Sequence, residues 1–391
     1  MSKFLLGHCI LIFSFFFTSV LWADDQNNSF SDEELRKMLF GDNSSDSLNE
    51  NKTRKAHWIS SYSGETGAGY SDNPLYGPFI HQEAAYVESS LEAFFLREGD
   101  SEYFTYLYLF GEGKAFDALP EHKTSTIILG QFEHAYTPDG SAQSYGFRLR
   151  QVYYDQGFDF SELGLPNSMN VRSNKSEFIP YLSKKFSEQL KITIQLAKGL
   201  EDFKVITDDN SDTGISLSLD GSTDYLDWKL ESEFTEKKYK ERPKRNGDGS
   251  LLSTESLLTK RMGLSLKLKK DFELPLFNSS NAKIQWTALK DNAGGYYDFK
   301  KIAFSLEQEF EFSKYKIDLN IGATETVYDE RMISTGSRFE RQSMLLGTTC
   351  TRAVNEQIDA YFKWSREEDF SNVRDYEYHA NFWSIGIAWD L

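Results

Sequence analysis

The chain has 391 residues, with 43 Lys and Arg against 60 Asp and Glu, and a formal net charge of −17. This acidic excess argues against nucleic acid and anionic membrane surfaces as ligands, because both carry negative charge themselves. Aromatic residues make up 15% of the sequence, more than an ordinary soluble core requires. The mean hydropathy of −0.53 is compatible with membrane crossing by strands that are polar on one face.

The first 23 residues have the pattern of a secretory signal peptide. Lys3 gives a short basic start, an apolar run follows over Phe4–Trp22, and the small residue Ala23 precedes polar sequence. An uncleaved anchor helix is the alternative, since the run is near the length needed to span a bilayer. The hydroxyl residues and the glycine within the run favour the signal peptide.

Residues 24–56 are polar and rich in Asn, Asp and Ser. They contain one helix-like patch, Ser31–Phe40, in which Ser31 and Glu34 fit a capping box. Three apolar residues fall on one face of this helix: Leu35, Met38 and Leu39. We predict a flexible linker that carries a short helix, and a plug or partner-docking helix is the alternative.

From His57 onward the sequence alternates between apolar and polar side chains. In the run Gln189–Leu196, apolar residues occupy every second position, and the same period of two recurs at Leu226–Phe234 and Ile302–Phe312. Alternation this strict places one face of each strand on an apolar medium and the other on water. We therefore predict an all-β region over residues 57–391 with sixteen strands, and fourteen is the alternative count.

The predicted strands are His57–Tyr70, Ala84–Arg97, Glu102–Phe110, Thr124–Tyr136, Gln143–Tyr154, Glu177–Lys185, Gln189–Lys198, Gly214–Leu219, Asp224–Thr235, Thr254–Phe272, Lys283–Lys290, Phe299–Phe312, Tyr315–Val327, Arg338–Thr351, Gln357–Ser365 and Tyr376–Leu391.

The connections between these strands alternate in length. Short ones, such as Pro138–Gly140 and Ser313–Lys314, have lengths and compositions typical of hairpin turns. Long ones, such as Asp155–Ser176 and Glu236–Ser253, are polar or carry mixed charge. An antiparallel up-and-down barrel with short turns at one rim and long loops at the other produces this alternation. The connection Glu273–Ala282 is an exception, because it is of medium length where a tight turn is expected.

Charged residues occupy the polar phase of several strands, which faces the interior of such a barrel. They could set ion preference at a constriction, although any water-filled barrel interior is charged. These candidate lumen charges are Arg148, Arg150, Asp227, Glu231, Glu233, Lys267, Lys269, Glu307, Glu309 and Glu311.

The residues that could support catalysis or metal binding are few and scattered. Histidines after the N-terminal run show no metal-ligand spacing, and no Ser-His element, phosphate loop or zinc pattern is present. His134 falls inside a strand, and His379 is expected on the inward phase of the last strand. Removal of the signal peptide leaves Cys350 alone, so no intramolecular disulfide can form. We predict a non-enzymatic protein without a cofactor or a bound metal.

The last strand alternates to the very end of the chain, with Trp389 and Leu391 on its apolar side. It resembles the C-terminal insertion signal of bacterial outer-membrane β-barrels, whose positions are occupied here by Ser384, Gly386, Trp389 and Leu391. The terminal residue of that family is usually Phe or Trp, so Leu391 departs from it. The resemblance covers residues 57–391 by topology and only the last strand by motif.

This resemblance implies a transmembrane β-barrel of the porin-like family in the cell outer membrane, preceded by a periplasmic segment. It implies contact with outer-membrane lipid and lipopolysaccharide, and delivery by periplasmic chaperones to the barrel-assembly machinery. A barrel of this size leaves an aqueous channel, so passive diffusion of small hydrophilic solutes is the expected function. The alternative is a surface-assembly, secretion or adhesion barrel with a plugged lumen.

Overall fold

The computed structural model describes residues 57–391 except for 78–82, 99–101, 120–122, 160–167, 273 and 275. Sixteen antiparallel strands form a closed barrel in which neighbours in sequence are neighbours in space, and the last strand pairs with the first. The all-β, up-and-down barrel is therefore confirmed, and the alternative count of fourteen strands is wrong. The predicted signal peptide and the 24–56 segment lie outside the described residues.

The strands are β1 His57–Ser71, β2 Ala84–Glu98, β3 Tyr103–Phe116, β4 Thr124–Tyr136, β5 Gln143–Asp159, β6 Ser168–Ser187, β7 Leu190–Phe203, β8 Asn210–Ser222, β9 Asp227–Arg245, β10 Leu251–Asp271, β11 Phe277–Asp291, β12 Phe299–Phe312, β13 Tyr315–Met332, β14 Arg338–Ala353, β15 Ile358–Ser371 and β16 Tyr378–Asp390. Two short 3-10 turns, Ile206–Asp208 and Arg374–Tyr376, lie in connections.

Several strands are longer than the alternating pattern predicts, and most of the extra length is at the long-loop rim. Strand β6 begins at Ser168 rather than Glu177, and β9 continues to Arg245 instead of ending at Thr235. These extensions are mostly polar, so the regular apolar alternation is lost while the backbone ladder continues. Much of what the sequence suggests to be loop is therefore hairpin that extends beyond the apolar belt.

The exceptional connection Glu273–Ala282 is also explained by strand extension. Strand β10 ends at Asp271 and β11 begins at Phe277, so the connection is short, like the others at its rim. Residues 277–281 pair with β10 or β12 although they are almost all polar. The turn 188–189 belongs to this rim and the loop 72–83 to the other, but the lengths at the two rims overlap: the connection 137–142 at this rim is longer than 246–250 at the other.

The outer surface of the barrel carries an apolar belt. On β10, Met262, Leu264, Leu266 and Leu268 all point outward and are between 37% and 54% exposed. Exposed leucines recur on neighbouring strands, and a continuous apolar surface of this extent is not stable in water. The belt therefore faces lipid. Among the described residues, no helix is both long enough and apolar enough to cross a membrane.

Aromatic rings cluster on the outer face at the short-turn rim. The ring centroids of Tyr103 and Tyr136 lie 5.0 Å apart, and those of Phe312 and Tyr315 lie 5.5 Å apart. Amphipathic rings favour the boundary between the hydrocarbon core and the headgroups, because one part of the ring is apolar and another is wet. These rings mark the edge of the lipid-facing belt at the short-turn rim.

The β7–β8 connection contains a carboxylate whose protonation is expected to loosen it. Asp209 Oδ1 accepts a hydrogen bond of 2.7 Å from the Phe203 amide, and Lys240 Nζ lies 2.9 Å from Asp209 Oδ2. These bonds lower the pKa of the Asp209 carboxyl below its usual range. Their stabilisation is present above the unfolded-state pKa and is lost as the pH falls through the lowered folded-state pKa. We expect the hydrogen-exchange protection factor of the Phe203 amide to fall in that acidic range.

An Asp209→Asn variant is the control for this titration. Its amide side chain has no carboxyl proton to gain, so the protection of the Phe203 amide should be lower and should not follow the acid transition. An equal acid loss of protection in the variant would show that another group controls this connection.

Candidate functional site: the barrel interior

The inner wall consists of the residues that alternate with the apolar belt. On β10, Lys267 and Lys269 alternate with outward leucines, and on β5 Arg148 and Arg150 alternate with Leu149, which is 47% exposed. The same alternation places the remaining candidate charges on the inner face: Asp227, Glu231, Glu233, Glu307, Glu309 and Glu311.

The most buried polar cluster of the inner wall is centred on Glu133 of β4, which the sequence did not single out. Its Oε2 lies 2.5 Å from Arg148 Nε and accepts a hydrogen bond of 3.0 Å from the Tyr106 hydroxyl. Its Oε1 accepts a bond of 2.6 Å from the Tyr181 hydroxyl. Arg148 also donates to Gln195 Oε1 at 3.2 Å, and its guanidinium lies over the Tyr181 ring. Both members of the Glu133–Arg148 pair are buried, so this is a structural ion pair.

A second ion-pair network continues the cluster toward β8. Arg150 donates to Gln131 at 3.0 Å and lies 3.5 Å from Glu177. Lys175 Nζ then lies 2.8 Å from Glu177 and 3.4 Å from Asp212. Acidic and basic groups thus interleave on adjacent strands of one wall, so the charges neutralise one another locally.

The other candidate charges also have polar neighbours. Glu233 Oε1 lies 3.2 Å from Arg261 Nε, Glu231 lies 3.8 Å from Lys229, and Glu309 lies 2.9 Å from Lys316. In the remaining cases the strand register places Lys269 beside Asp227, Glu311 beside Lys316 and Glu307 beside Asn281. Lys267 lies directly beside Lys229, and Glu231 is one diagonal step away. The structure therefore groups the candidate charges in several pairs distributed around the wall rather than in one ring.

Part of the inner wall is apolar, which the prediction of a polar lumen did not anticipate. Near the short-turn rim, five neighbouring residues of β2 and β3 form what we call the inner aromatic stripe: Phe94, Leu96, Phe104, Tyr106 and Tyr108. The rings of Phe94 and Tyr106 stack with centroids 5.4 Å apart. The sequence does not show which of these residues face inward, because Phe94, Phe95 and Leu96 are consecutive apolar residues and β2 has no alternation at this point.

The seam between β1 and β16 is closed by a pair of glycines. Gly67 and Gly386 are directly opposite each other and both face inward. The ring of Tyr361 on β15 covers them, and its hydroxyl donates to Glu88 Oε1 at 3.1 Å. A Cβ on Gly386 would overlap with the backbone oxygen of Thr66, so only glycine fits this approach.

Residues 72–77, which follow β1, stabilise the β1–β16 seam at the long-loop rim. Asn73, which is 1% exposed, donates from Nδ2 to the backbone oxygens of Gly77 at 3.0 Å and His379 at 2.9 Å. Asn381 donates its backbone N–H and its side-chain amide to the two oxygens of Asp72, each at 2.7 Å. Residues 72–77 and the beginning of β16 thus form one hydrogen-bonded unit.

The proposed insertion-signal residues occupy both faces of β16. Ser384 is buried on the inner face beside Gly386, whereas Trp389 lies on the outer face against Gly64 of β1. Leu391 is 67% exposed, and its backbone exchanges hydrogen bonds of 2.8 and 3.1 Å with Tyr62. This arrangement matches the predicted faces, while the role of the four residues in insertion stays a prediction.

The two histidines considered within strands lie on the outer face. His134 Nδ1 lies 2.8 Å from the Thr105 hydroxyl, and its ring stacks on Tyr103 at the lipid-facing rim. His379 is exposed on the outward phase of β16, so its expected inward placement is wrong; its neighbour Tyr378 faces inward and donates to Glu367. Within the described ranges, no group of three or more His, Cys, Asp or Glu residues could hold a metal ion.

These features define a β-barrel of the outer-membrane type, with an apolar exterior and a largely charged interior. No family model and no curated protein matches the chain. Among solved structures, OccAB1 from Acinetobacter baumannii is 8% identical with a TM-score of 0.47, covering 88% of this chain and 99% of that one. CdiB from Acinetobacter baumannii is 11% identical with a TM-score of 0.46, and the match covers 84% of this chain and 60% of CdiB.

A bacterial polysaccharide outer membrane secretin is 9% identical with a TM-score of 0.42, covering 84% of this chain and 98% of that chain. Similarity at this level establishes neither a solute, nor a partner, nor an activity.

Proposed function

We propose that this chain is an outer-membrane channel of the porin kind, through which small hydrophilic solutes diffuse passively. The observation that carries the proposal is the opposite polarity of the two faces of one closed sheet, with exposed leucines outside and ion pairs inside. A barrel of sixteen strands is wide enough to enclose an aqueous channel.

The proposal includes an orientation and a set of partners. The short-turn rim, where β1 begins and β16 ends, faces the periplasm, and the long loops face outward. The apolar belt contacts outer-membrane lipid, and the basic and acidic groups above it contact lipopolysaccharide. Periplasmic chaperones deliver the chain, and the barrel-assembly machinery recognises Ser384, Gly386, Trp389 and Leu391. No catalytic step is proposed, because His134 and His379 face away from the interior.

Planar-bilayer recording tests the proposed function. Purified protein that migrates as the folded form in unheated gel samples should produce discrete conductance steps when it is added to a bilayer. The same preparation unfolded by heating before addition is the control. Folded protein that inserts into the bilayer but never conducts would contradict the channel and favour the second candidate.

The second candidate is a non-enzymatic barrel with a plugged lumen that serves surface assembly, secretion or adhesion. The inner aromatic stripe favours it, because buried apolar residues on an inner wall are unusual where that wall lines water. This candidate predicts folded, inserted protein with no conductance.

Neutralising an inner-wall carboxylate is expected to shift ion preference. Glu309 lies on β12 and faces the barrel interior. Glu309→Gln removes a fixed negative charge from the channel wall, so it should move the reversal potential in a salt gradient toward greater anion permeability. Glu236→Gln is the matched control, since Glu236 lies on the outer face of β9 beside Lys260. Equal shifts in both variants would contradict a role for the inner wall in selectivity.

A further inference from the structure

A cluster of arginines and tyrosines lies at the long-loop rim of the barrel. This arginine–tyrosine cluster consists of Arg245, Arg331, Tyr296, Tyr328 and Tyr376. Arg245 ends β9, Arg331 lies near the end of β13, and Tyr376 precedes β16. Tyr328 lies on the inward phase of β13, opposite Phe299 of β12. The cluster is therefore at the mouth of the barrel where the long loops are, on the side of the lumen.

The aromatic rings of the cluster hold two guanidinium groups next to each other. The Cζ atom of Arg331 lies 5.1 Å from the ring centroid of Tyr296 and 5.3 Å from that of Tyr328. The Cζ atom of Arg245 lies 5.8 Å from the same Tyr296 centroid. A guanidinium group that lies against aromatic rings has a restricted orientation and keeps N–H groups for other partners.

The protein itself uses few of the donors of these two arginines. Arg331 donates from Nη2 to the Tyr376 hydroxyl at 2.8 Å, and Arg245 donates from Nη1 to the backbone oxygen of Gly249 at 2.8 Å. An arginine side chain has five N–H donors, and neither arginine forms an ion pair with a carboxylate of the described residues. Both side chains are half-buried, and neither has a nitrogen that is shielded from solvent without a partner. The remaining N–H groups therefore reach solvent at the mouth of the barrel.

The missing carboxylate partners are not explained by the composition of the chain. The net charge is −17, so acidic residues are in excess. Other arginines near the same rim are paired: Arg172 Nη2 lies 2.6 Å from Asp155 Oδ2, and Arg341 Nε lies 2.7 Å from Asp369 Oδ1. Two neighbouring guanidinium groups without a countercharge are complementary to an anion. Because a guanidinium binds carboxylate and phosphate groups through two parallel N–H···O bonds, an oxyanion is the matching ligand.

The β11–β12 loop fixes the position of Tyr296 before any ligand binds. Asp291 Oδ2 accepts a hydrogen bond of 3.0 Å from the backbone N–H of Tyr297. The Gly294 N–H donates to the backbone oxygen of Arg245 at 3.2 Å, which joins this loop to the end of β9. The ring and the arginine are thus held by backbone contacts, so little ordering is required on binding.

We propose that Arg245 and Arg331 form a binding site for a small multivalent oxyanion, with carboxylate or phosphate groups, at the long-loop mouth of the barrel. The two guanidinium groups supply the positive charge and the N–H donors, and Tyr296 keeps them adjacent. An anion with two charged groups accepts hydrogen bonds from both arginines, which a chloride ion does less well. Only the passage of the bound anion into the lumen rests on the proposed channel function, because binding itself does not require conduction.

Isothermal titration calorimetry of the folded full chain in detergent micelles tests the site. The probes are inorganic diphosphate and malonate, at an ionic strength held constant with sodium chloride so that general screening is equal. We expect saturable binding at one site. Arg331→Gln and Arg245→Gln should each weaken it by about tenfold or more, because each removes charge-assisted hydrogen bonds. Arg172→Gln is the matched control, since its guanidinium at the same rim already has a carboxylate partner, and it should bind like the unmodified chain.

The outcomes separate the binding site from the channel. Saturable binding of both probes indicates recognition of the shared oxyanion chemistry, and binding of one probe alone assigns the site to phosphate or to carboxylate. Binding of neither probe, binding that survives both arginine substitutions, or an equal loss of affinity in Arg172→Gln would overturn the site. Gel migration without heating verifies that each variant is folded, and Arg245→Gln decides the result if Arg331→Gln does not fold. Binding without conductance would end only the channel proposal, and conductance without binding only this site.

Discussion

An Arg148→Met variant is expected to lose about 3–5 kcal/mol of the free energy of unfolding, because it leaves the carboxylate of Glu133 buried without a countercharge. The Arg148 and Glu133 side chains are only 6% and 7% exposed. Two tyrosine hydroxyls would still donate to Glu133, but neither carries a positive charge. Methionine retains most of the volume of the side chain, so the loss measures the charge rather than a cavity. Urea titration of the folded barrel in vesicles, followed by gel migration without heating, provides the measurement.

Two controls identify the cause of this destabilisation. Combining Arg148→Met with Glu133→Gln removes both charges, while the amide oxygen of the introduced glutamine can still accept from the tyrosines, so the double variant should be more stable than the single one. Lys185→Met breaks the solvent-exposed pair with Glu188 and should have little effect. A double variant no more stable than Arg148→Met would show that the buried charge is not the cause.

The Gly386→Ala variant is expected to destabilise the closed barrel by about 1–3 kcal/mol, the usual range for overpacking a well-packed site. The new methyl group would overlap with the Thr66 carbonyl oxygen and would lie 2.6 Å from the Tyr361 ring carbon Cζ. The carbonyl belongs to the backbone of β1, so it can move only by loosening the β1–β16 ladder. The fraction of protein that migrates as the folded form after assembly into vesicles is the measurement.

Gly111→Ala is the matched control, because a Cβ at Gly111 in β3 meets nothing within 4 Å. It should assemble like the unmodified chain. The vesicles contain no assembly machinery. An assembly defect of Gly386→Ala in vesicles is therefore due to the steric role of Gly386 and not to any role in recognition. Equal yields for the two alanine variants would contradict the steric account of the seam.

The alternation of apolar and polar residues along the chain was sufficient to predict the barrel architecture. All sixteen predicted strands are present, and β4 and β12 have the predicted bounds. The alternation of side chains is a property of each strand alone, since successive residues point to opposite faces wherever the strand lies. The inner-face placement of Lys267, Lys269 and the β12 glutamates follows from this rule. The even strand count of an up-and-down barrel places the free ends of the first and last strands at the same rim.

The alternation of apolar and polar residues did not predict the structure where apolar residues occupy both faces of a strand or neither face. The inner aromatic stripe was missed because Phe94–Leu96 has no alternation. The length of β6 and β9 was missed because their added parts are mostly polar and lack a regular apolar alternation. Glu133 carried a usable signal, since it lies on the polar phase of β4. It was passed over because a single carboxylate on a strand does not indicate which neighbour it meets.

The sequence by itself indicated the fold class and a count of sixteen strands, and it assigned most side chains of the regularly alternating strands to lipid or interior, because that assignment depends on a period of two within one strand. Only the tertiary structure decided which charges pair, that Arg148 meets Glu133 and Arg150 meets Glu177, and that Tyr361 covers the seam glycines. Those contacts depend on the register between strands and on the closure of β16 against β1. Register is a relation between segments far apart in the chain, and the alternation within a single strand carries little information about it.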